Sequence, residues 1–123
     1  MGDTGIDTIT VERIKQLVAN GHQAVVADRR HIHQHPELSY QETATGKFIA
    51  ERLRNVGIDV RESVAGTGVI GVVKGKDGGG CICRRGDIDA LPIQETNELP
   101  YRSINAGVMH ACGHDAHAAM VLG

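Results

Sequence analysis

The sequence predicts an α/β layer fold in which helices pack on a mixed sheet. Three observations support this prediction. Apolar residues recur at near-helical spacing over the first half of the chain, short β-rich runs follow Gly57, and an alanine-rich run with helical character closes the sequence. The chain of 123 residues contains no Trp, one Phe and two Tyr. We therefore expect one unit with a modest, largely aliphatic core.

The first helix is expected to begin at Thr10, a residue type that commonly caps helices, and to continue toward Gln34. Pro36 disfavours the helical conformation at His35, so the helix should end there. The apolar positions that repeat with helical spacing are Ile14, Leu17, Val18, Val25 and Ile32. This pattern predicts a long amphipathic helix.

A second helix is predicted directly after the proline. Ser39 and Glu42 have the spacing of a capping box, in which each side chain satisfies a backbone N–H of the new helix. Gly57 is expected to end this helix as a residue in the left-handed conformation. The expected buried stripe consists of Phe48, Ile49, Leu53 and Val56.

Three short strands are predicted after Gly57, namely Ile58 to Val64, Val69 to Lys74 and Cys81 to Arg85. The glycine-rich stretch 75–80 is flexible enough for a hairpin between the last two. Residues 66–71 match a dinucleotide-binding fingerprint in letters, but we expect a strand where that motif must open a helix. Cys81 and Cys83 alternate along the third run, and we expect both to be buried as small hydrophobic residues.

A long irregular connection from Asp87 to Gly113 leads to the last helix, for which Asp115 is the expected N-cap. Long connections of this kind are commonly functional. Thirteen basic and fifteen acidic residues are interspersed, which argues against nucleic-acid and membrane-surface partners. The N-terminal letters lack the features of a signal peptide, and three cysteines show no disulfide-scaffold spacing. We therefore expect a cytoplasmic protein.

The segment from His110 to His117 places three imidazoles, one thiol and one carboxylate within eight residues. Cys112 and His114 form the nearest pair, and thiolate and neutral imidazole are both good ligands for zinc and related metals. We therefore predict a metal site here. One alternative is a chance surface tract, and another is a structural zinc site completed by His110 or His117.

Asp87 and Asp89 are separated by one residue at the carboxyl end of the third predicted strand. Ligands in open α/β sheets bind at this end of the strands. Alternation along a strand would point the two side chains to opposite faces, so we expect different roles for them. One role is to accept a hydrogen bond from a metal-bound imidazole. The alternative is an ordinary polar loop with solvated carboxylates.

Three segments, Arg29 to Glu42, Arg85 to Tyr101 and Gly107 to His117, together resemble one family. It comprises the metal-dependent amidohydrolases that include hippurate hydrolases, N-acyl-amino-acid amidohydrolases and indole-acetyl-amino-acid hydrolases. The resemblance implies a zinc-peptidase-like catalytic domain. It also implies that Cys112 and His114 are metal ligands, with Asp89 and the neighbouring Asp87 in the acidic motif beside them.

The activity implied by this resemblance is hydrolysis of the amide bond of a small N-acyl amino acid by a metal-activated water. The metal would be Mn, Zn or Co, possibly as a pair of ions, and Asp89 would orient the site. His117 could polarise the substrate or cap the helix, and the role of His110 is open between substrate contact and support. His33 and His35 are expected to have structural roles.

The sequence also departs from the family pattern. Gly86 stands where the family usually has Ala, and the run containing Cys81, Cys83 and Arg84 replaces a plain aliphatic strand. We interpret residues 1–123 as the N-terminal part of a catalytic domain, without the lid and dimerisation domain, the glutamate base and the later histidine ligands. This chain alone should be nearly inactive. The alternative is a non-catalytic fragment or degenerate paralogue that folds and self-associates through an exposed sheet edge.

Overall fold

The computed structural model describes residues 8–123, and the N-terminal letters on which the signal-peptide expectation rests lie largely outside that range. The elements follow the order α1, α2, β1, β2 and α3. Their bounds are α1 Thr8–Gln34, α2 Thr43–Asn55, β1 Asp59–Val64, β2 Gly68–Val72 and α3 His114–Leu122. The predicted packing of helices with a sheet is confirmed, although the strands of the described part form one antiparallel pair. None of the helices in this part has the length and apolar character needed to cross a bilayer.

Helix α1 begins at Thr8, before the predicted cap Thr10, and ends at Gln34 as predicted. Its end is closed by the His35 N–H, which donates to carbonyl oxygens one turn back at 3.2 Å. The helix packs against α3, and its buried residues all lie in the last two turns: Asp28, Ile32 and His33. The apolar positions of the first half, including Leu17 and Val18, are exposed. Only the C-terminal part of α1 therefore contributes to the described core.

Helix α2 begins at Thr43, so the predicted capping box is wrong and Ser39 lies outside the helix. The carboxylate of Glu37 supplies the cap instead. It accepts the backbone N–H of Ala44 at 3.1 Å, and both the N–H and the hydroxyl of Thr45 at 2.6 Å. Because these N–H groups lie in the first turn and have no partner inside the helix, the Glu37 side chain satisfies donors that would otherwise be unpaired.

The buried face of α2 is built from small residues, Thr45, Gly46 and Ala50. A Cβ at Gly46 would lie 2.7 Å from the Thr67 carbonyl oxygen, so the hairpin turn approaches the helix backbone directly. The larger residues Phe48, Ile49 and Leu53 are half-buried. Val56 is exposed, contrary to prediction, because it lies at the C-cap beyond the last contact. Gly57 has φ 79°, which confirms its predicted left-handed conformation.

Strands β1 and β2 pair in antiparallel register, from Asp59 opposite Val72 to Val64 opposite Gly68. An irregularity lies between Arg61 and Val64. The hairpin confirms the first two predicted strands. It also confirms that residues 66–71 form a turn and a strand, which excludes the dinucleotide-binding interpretation of that motif.

The third predicted strand is wrong for the described structure. Residues 81–85 pair with no strand of the described part, and the preceding glycine-rich stretch forms no hairpin. A strand is stable only when a neighbour takes up its backbone hydrogen bonds. Cys81 and Cys83 are therefore exposed rather than buried. The chain regains contacts beyond this segment, where Ala90 bridges Leu38 and Leu91 bridges Met109.

Helix α3 begins at His114, and Gly113 at its N-cap has φ 106°. The prediction that Asp115 caps the helix is wrong, because this residue lies in the first turn and is fully buried. Small side chains allow α3 to approach α1 closely. The buried hydrophobic residues of the described part are Ile32, Ala50, Ala90, Ala118 and Ala119.

Candidate metal centre

The acidic segment 87–89 lies beside the start of α3 because the chain passes very close to that helix at Gly86. A Cβ at this position would lie 3.2 Å from the His117 carbonyl oxygen and 3.3 Å from a Val121 methyl group. The absence of a side chain therefore permits the close approach. It places the residues that follow next to the imidazoles of the first helical turn.

The imidazole of His114 is held by Asp89. Its Nδ1 atom lies 2.8 Å from the Asp89 Oδ1 atom and 3.0 Å from the Asp89 carbonyl oxygen. Both oxygens are acceptors, so Nδ1 carries the proton in the neutral ring. The Nε2 atom then presents a lone pair, the state required of a metal ligand. The hydrogen bond is the contact expected of a carboxylate that supports a metal-binding imidazole, and the metal-related roles of Asp89 and His114 stay predictions.

Asp87 contacts the other side of the same ring. One carboxylate oxygen accepts a hydrogen bond from His117 Nδ1 at 2.7 Å, and the other lies 3.3 Å from His114 Nε2 and 3.3 Å from Arg85 Nη1. The hydrogen bond from His117 lowers the pKa of Asp87 below its ordinary value. The two acids thus contact different nitrogens of one ring. Strand alternation predicted side chains on opposite faces, but residues 87–89 are not part of a strand and both carboxylates reach His114.

The ligand atoms of Asp87, His114 and His117 all lie within 4.8 Å of one another. When His114 donates from Nδ1, its Nε2 lone pair faces a carboxylate oxygen, and two acceptors then oppose each other. A cation held by both atoms would convert this contact into an attraction. Imidazole and carboxylate together suit Zn and neighbouring divalent ions. These residues therefore fit the predicted metal.

Cys112 lies two positions before His114, and its thiol is exposed. It does not belong to the close group formed by Asp87, His114 and His117 in the described residues. Its assignment as a metal ligand remains a prediction. His110 is buried, and neither of its ring nitrogens has a hydrogen-bond partner in the described part of the chain. Burial lowers the pKa of His110, so this ring is neutral at physiological pH.

A second, buried polar cluster includes Asp115, the neighbour of His114 in the candidate metal centre. It was not predicted from the sequence. His33 is 3% exposed. Its Nδ1 atom lies 2.8 Å from Asp115 Oδ2 and its Nε2 atom lies 3.0 Å from Glu95 Oε1. Arg29 Nε contacts the same Asp115 oxygen at 2.8 Å. One sequence feature could have indicated the cluster, because each of the three segments that resemble the amidohydrolase family contributes a residue to it.

Glu95 is satisfied on both carboxylate oxygens. Ser103 donates its backbone N–H at 2.6 Å, and Asn97 adds a longer contact of 3.4 Å beside His33. Burial acts to raise the pKa of Glu95, but the hydrogen bonds from Ser103, His33 and Asn97 outweigh it and lower that pKa below its ordinary value. The side chain is therefore a buried, ionised anchor for the long connection.

Comparison with known proteins finds similarity to one family. A model described as peptidase family M20/M25/M40 matches residues 83–123. Over 92% of its length the chain is 46% identical to thermostable carboxypeptidase 2 of Saccharolobus solfataricus, of which it covers 29%. Over 94% of its length it is 47% identical to an N-acyl-L-amino acid amidohydrolase of Geobacillus stearothermophilus, of which it covers 31%. The chain resembles members of peptidase family M20/M25/M40.

A solved structure shows the same similarity. The Bacillus subtilis YXEP protein, described as a dinuclear metal binding peptidase, superposes with a TM-score of 0.80 at 45% identity. The match covers 85% of this chain and 30% of that protein. The chain thus spans about three tenths of the length of these M20 relatives. Its helices and hairpin correspond to part of the M20 fold.

Proposed function

We propose that this chain supplies part of a divalent-metal centre that hydrolyses the amide bond of N-acyl amino acids. The observation that carries the proposal is the position of His114, whose ring lies between Asp89 on one nitrogen and Asp87 on the other. A relative with 47% identity is named an N-acyl-L-amino acid amidohydrolase. The geometry favours metal binding, and the name of this relative favours hydrolysis of a small acylated amino acid.

The proposed ligands come from two sources. His114 and Cys112 are assigned by the family motif, and Asp87 and His117 by their closeness to His114. The proposed metal is Mn, Zn or Co, because imidazole, carboxylate and thiolate are compatible with all three. A pair of ions is also proposed, since the YXEP protein is described as dinuclear.

A divalent ion bound here would supply an activated water at neutral pH and a Lewis acid for the amide carbonyl. The residues of the chain do the positioning. Asp89 holds the His114 ring through Nδ1–H, and Asp87 accepts a hydrogen bond from His117 Nδ1–H. Both carboxylates are engaged by imidazoles, so neither is free to accept the proton of the attacking water. We therefore propose that the chain alone binds metal without appreciable turnover.

The proposal is tested by titrating the purified chain with Co²⁺ and following the visible absorption of the bound ion. We expect binding in the wild type, loss of binding in His114→Ala, and no change in the control His22→Ala, which alters an exposed histidine of α1. A sulfur-to-metal charge-transfer band that disappears in Cys112→Ser would identify the thiolate as a ligand. Absence of Co²⁺ binding by the wild type would contradict the proposal.

The same samples are then assayed with hippurate and a panel of N-acetyl amino acids. Metal binding with no release of free amino acid is the expected result. Turnover would show that a general base is present within these 123 residues, contrary to the proposal that this chain alone is inactive. We also propose a cytoplasmic location, because all three cysteines are free and exposed, a state that persists in reducing compartments.

A second candidate function is self-association, and exposed apolar residues near the hairpin favour it. Within the described residues β2 pairs only with β1, so its other edge is open. Val73 is 77% exposed and Ile82 is 91% exposed. Open edges with apolar side chains promote pairing between chains. Light scattering should show oligomers of the wild type that the double substitution Val73→Lys with Ile82→Lys dissociates. Val56→Lys, at the C-cap of α2, should have no effect. A monomeric wild type would exclude this function.

A further inference from the structure

Three parts of the chain meet at the buried imidazole of His33. The ring belongs to α1, and its two nitrogens contact Glu95 of the long connection and Asp115 of α3. The side chains of His33, Glu95 and Asp115 are 3%, 1% and 0% exposed. The contact is therefore dry, and its geometry is set by the surrounding packing.

Both nitrogens of the His33 ring face a carboxylate oxygen, from Glu95 on one side and Asp115 on the other. Arg29 contacts the Asp115 carboxylate as well. A buried ion pair that loses one partner leaves an uncompensated charge in a dry environment. The His33 ring is thus restrained from both sides, and its contact with Asp115 restrains that side chain as well.

The start of α3 lacks local restraint. The N-cap is Gly113, which has no side chain and makes no side-chain capping hydrogen bond. Helix starts normally depend on such a bond to satisfy and orient their first turn. Here the second residue of the helix, Asp115, is held by His33 and Arg29 instead. A tertiary contact therefore orients the first turn of α3, as a capping side chain does in other helices.

His114 immediately precedes Asp115, and its ring must reach Asp89 at 2.8 Å. We propose that His33 is a positioning residue of the metal centre: by fixing Asp115 it sets the first turn of α3 and thereby the orientation of His114. His33 does not itself contact the proposed ligand atoms. The inference deepens the proposed function and rests on it for its significance, but the orientation of the ring can be measured without metal.

The test compares His33→Gln with the control His35→Gln in the metal-free chain. His35, like His33, precedes Pro36. Its Nδ1 atom bonds the His31 carbonyl oxygen and not the carboxylates of the cluster. Long-range ¹H–¹⁵N spectra at about pH 8, where ordinary imidazoles are neutral, report which nitrogen of His114 carries the proton. Backbone shifts of residues 117–122 report separately whether α3 remains helical.

We expect the wild type and His35→Gln to show His114 as a single tautomer protonated at Nδ1. In His33→Gln, α3 should remain helical while the two tautomers of His114 average. A single Nδ1–H tautomer in folded His33→Gln would overturn the inference, and so would averaging in both variants. If His33→Gln does not fold, the same spectrum is recorded for Asp115→Asn, a milder change that keeps the shape of the side chain. Averaging of the two His114 tautomers is again expected, and a single Nδ1–H tautomer would overturn the inference.

A metal titration forms the second arm. Loss of a residue that orients a metal-binding histidine typically weakens affinity about 10- to 100-fold. We expect a loss of this size for Co²⁺ in His33→Gln and none in His35→Gln. Unchanged affinity in His33→Gln would overturn the inference. If the wild type binds no Co²⁺, the proposed function fails, whereas the spectra of the metal-free chain still decide the role of His33.

Discussion

The Nδ1 atom of His114 lies 2.8 Å from a carboxylate oxygen of Asp89, although 25 residues separate them in the sequence. The same nitrogen lies 3.0 Å from the Asp89 carbonyl oxygen. Both contacts select the tautomer in which Nε2 is free to bind a cation. The relationship connects the acidic segment with the first turn of α3, and it makes Asp89 the first residue to test.

Asp89→Asn should weaken metal binding about 10- to 100-fold. The amide retains one acceptor oxygen, but it loses the charge that favours the Nδ1–H tautomer and raises the basicity of Nε2. The measurement is competition of the chain with a chromophoric chelator for Zn²⁺ or Co²⁺. Asp59→Asn is the control, because its carboxylate lies on β1 and is 78% exposed. Equal affinity in the wild type and Asp89→Asn would show that the contact does not tune the metal.

Glu95 should make the stability of the chain depend on pH in the acid range. Its hydrogen bonds lower its pKa in the folded state below the value in the unfolded chain. Its contribution is therefore fully present above the unfolded pKa of about 4.3 and is lost as the pH falls through the folded pKa. Urea unfolding across this range should show a shallower pH dependence in Glu95→Gln than in the wild type. Glu98 is exposed, so Glu98→Gln should show the pH dependence of the wild type. If Glu95→Gln lost stability with falling pH as steeply as the wild type, the lowered pKa of Glu95 would be contradicted.

Alanine substitutions at two helical glycines should change stability in opposite directions. A Cβ at Gly46 would lie 2.7 Å from the Thr67 carbonyl oxygen, so Gly46→Ala forces the helix and the turn apart and should cost about 1–3 kcal/mol. A Cβ at Gly21 meets nothing within 4 Å, so Gly21→Ala should stabilise the helix by about 0.5–1 kcal/mol. Urea midpoints measured side by side give both signs. A stabilising Gly46→Ala would contradict the close packing of α2 on the hairpin, and a destabilising Gly21→Ala would contradict the open space at Gly21.

The carboxylate of Glu37 should be worth more to α2 than the hydroxyl of Ser39. Glu37→Ala removes the acceptor of two backbone N–H groups and one hydroxyl, and should destabilise the chain by about 0.5–2 kcal/mol. Ser39→Ala lies outside the helix and should leave the urea midpoint unchanged. The reverse order of effects would restore the capping box that the spacing predicted.

Periodicity was sufficient to predict the elements whose stability is largely local. The helical spacing in α1, the left-handed Gly57 and the alternation in the hairpin each reflect contacts within a short stretch of chain. The segment 81–85 failed because a strand depends on a neighbour, and its letters do not reveal whether one is available. The Ser39 cap failed because α2 begins only at Thr43, where the carboxylate of Glu37 accepts the N–H groups of the first turn.

The site divides in the same way. The contact of Asp89 with His114 was predictable because an acid beside a metal-binding imidazole has one common role. The cluster around His33 was not predictable, because its partners lie 62 and 82 residues away and become neighbours only through tertiary packing. Asp115 looked like a cap from its position before an alanine run, yet the fold buries it completely.

The long separation between His33 and Asp115 has a consequence for biosynthesis. During translation the histidine leaves the ribosome 82 residues before the aspartate that will hold it. Closing so large a loop is a slow, late event in folding. A nascent chain can therefore form α1, α2 and the hairpin before His114, the proposed metal ligand, has been synthesised.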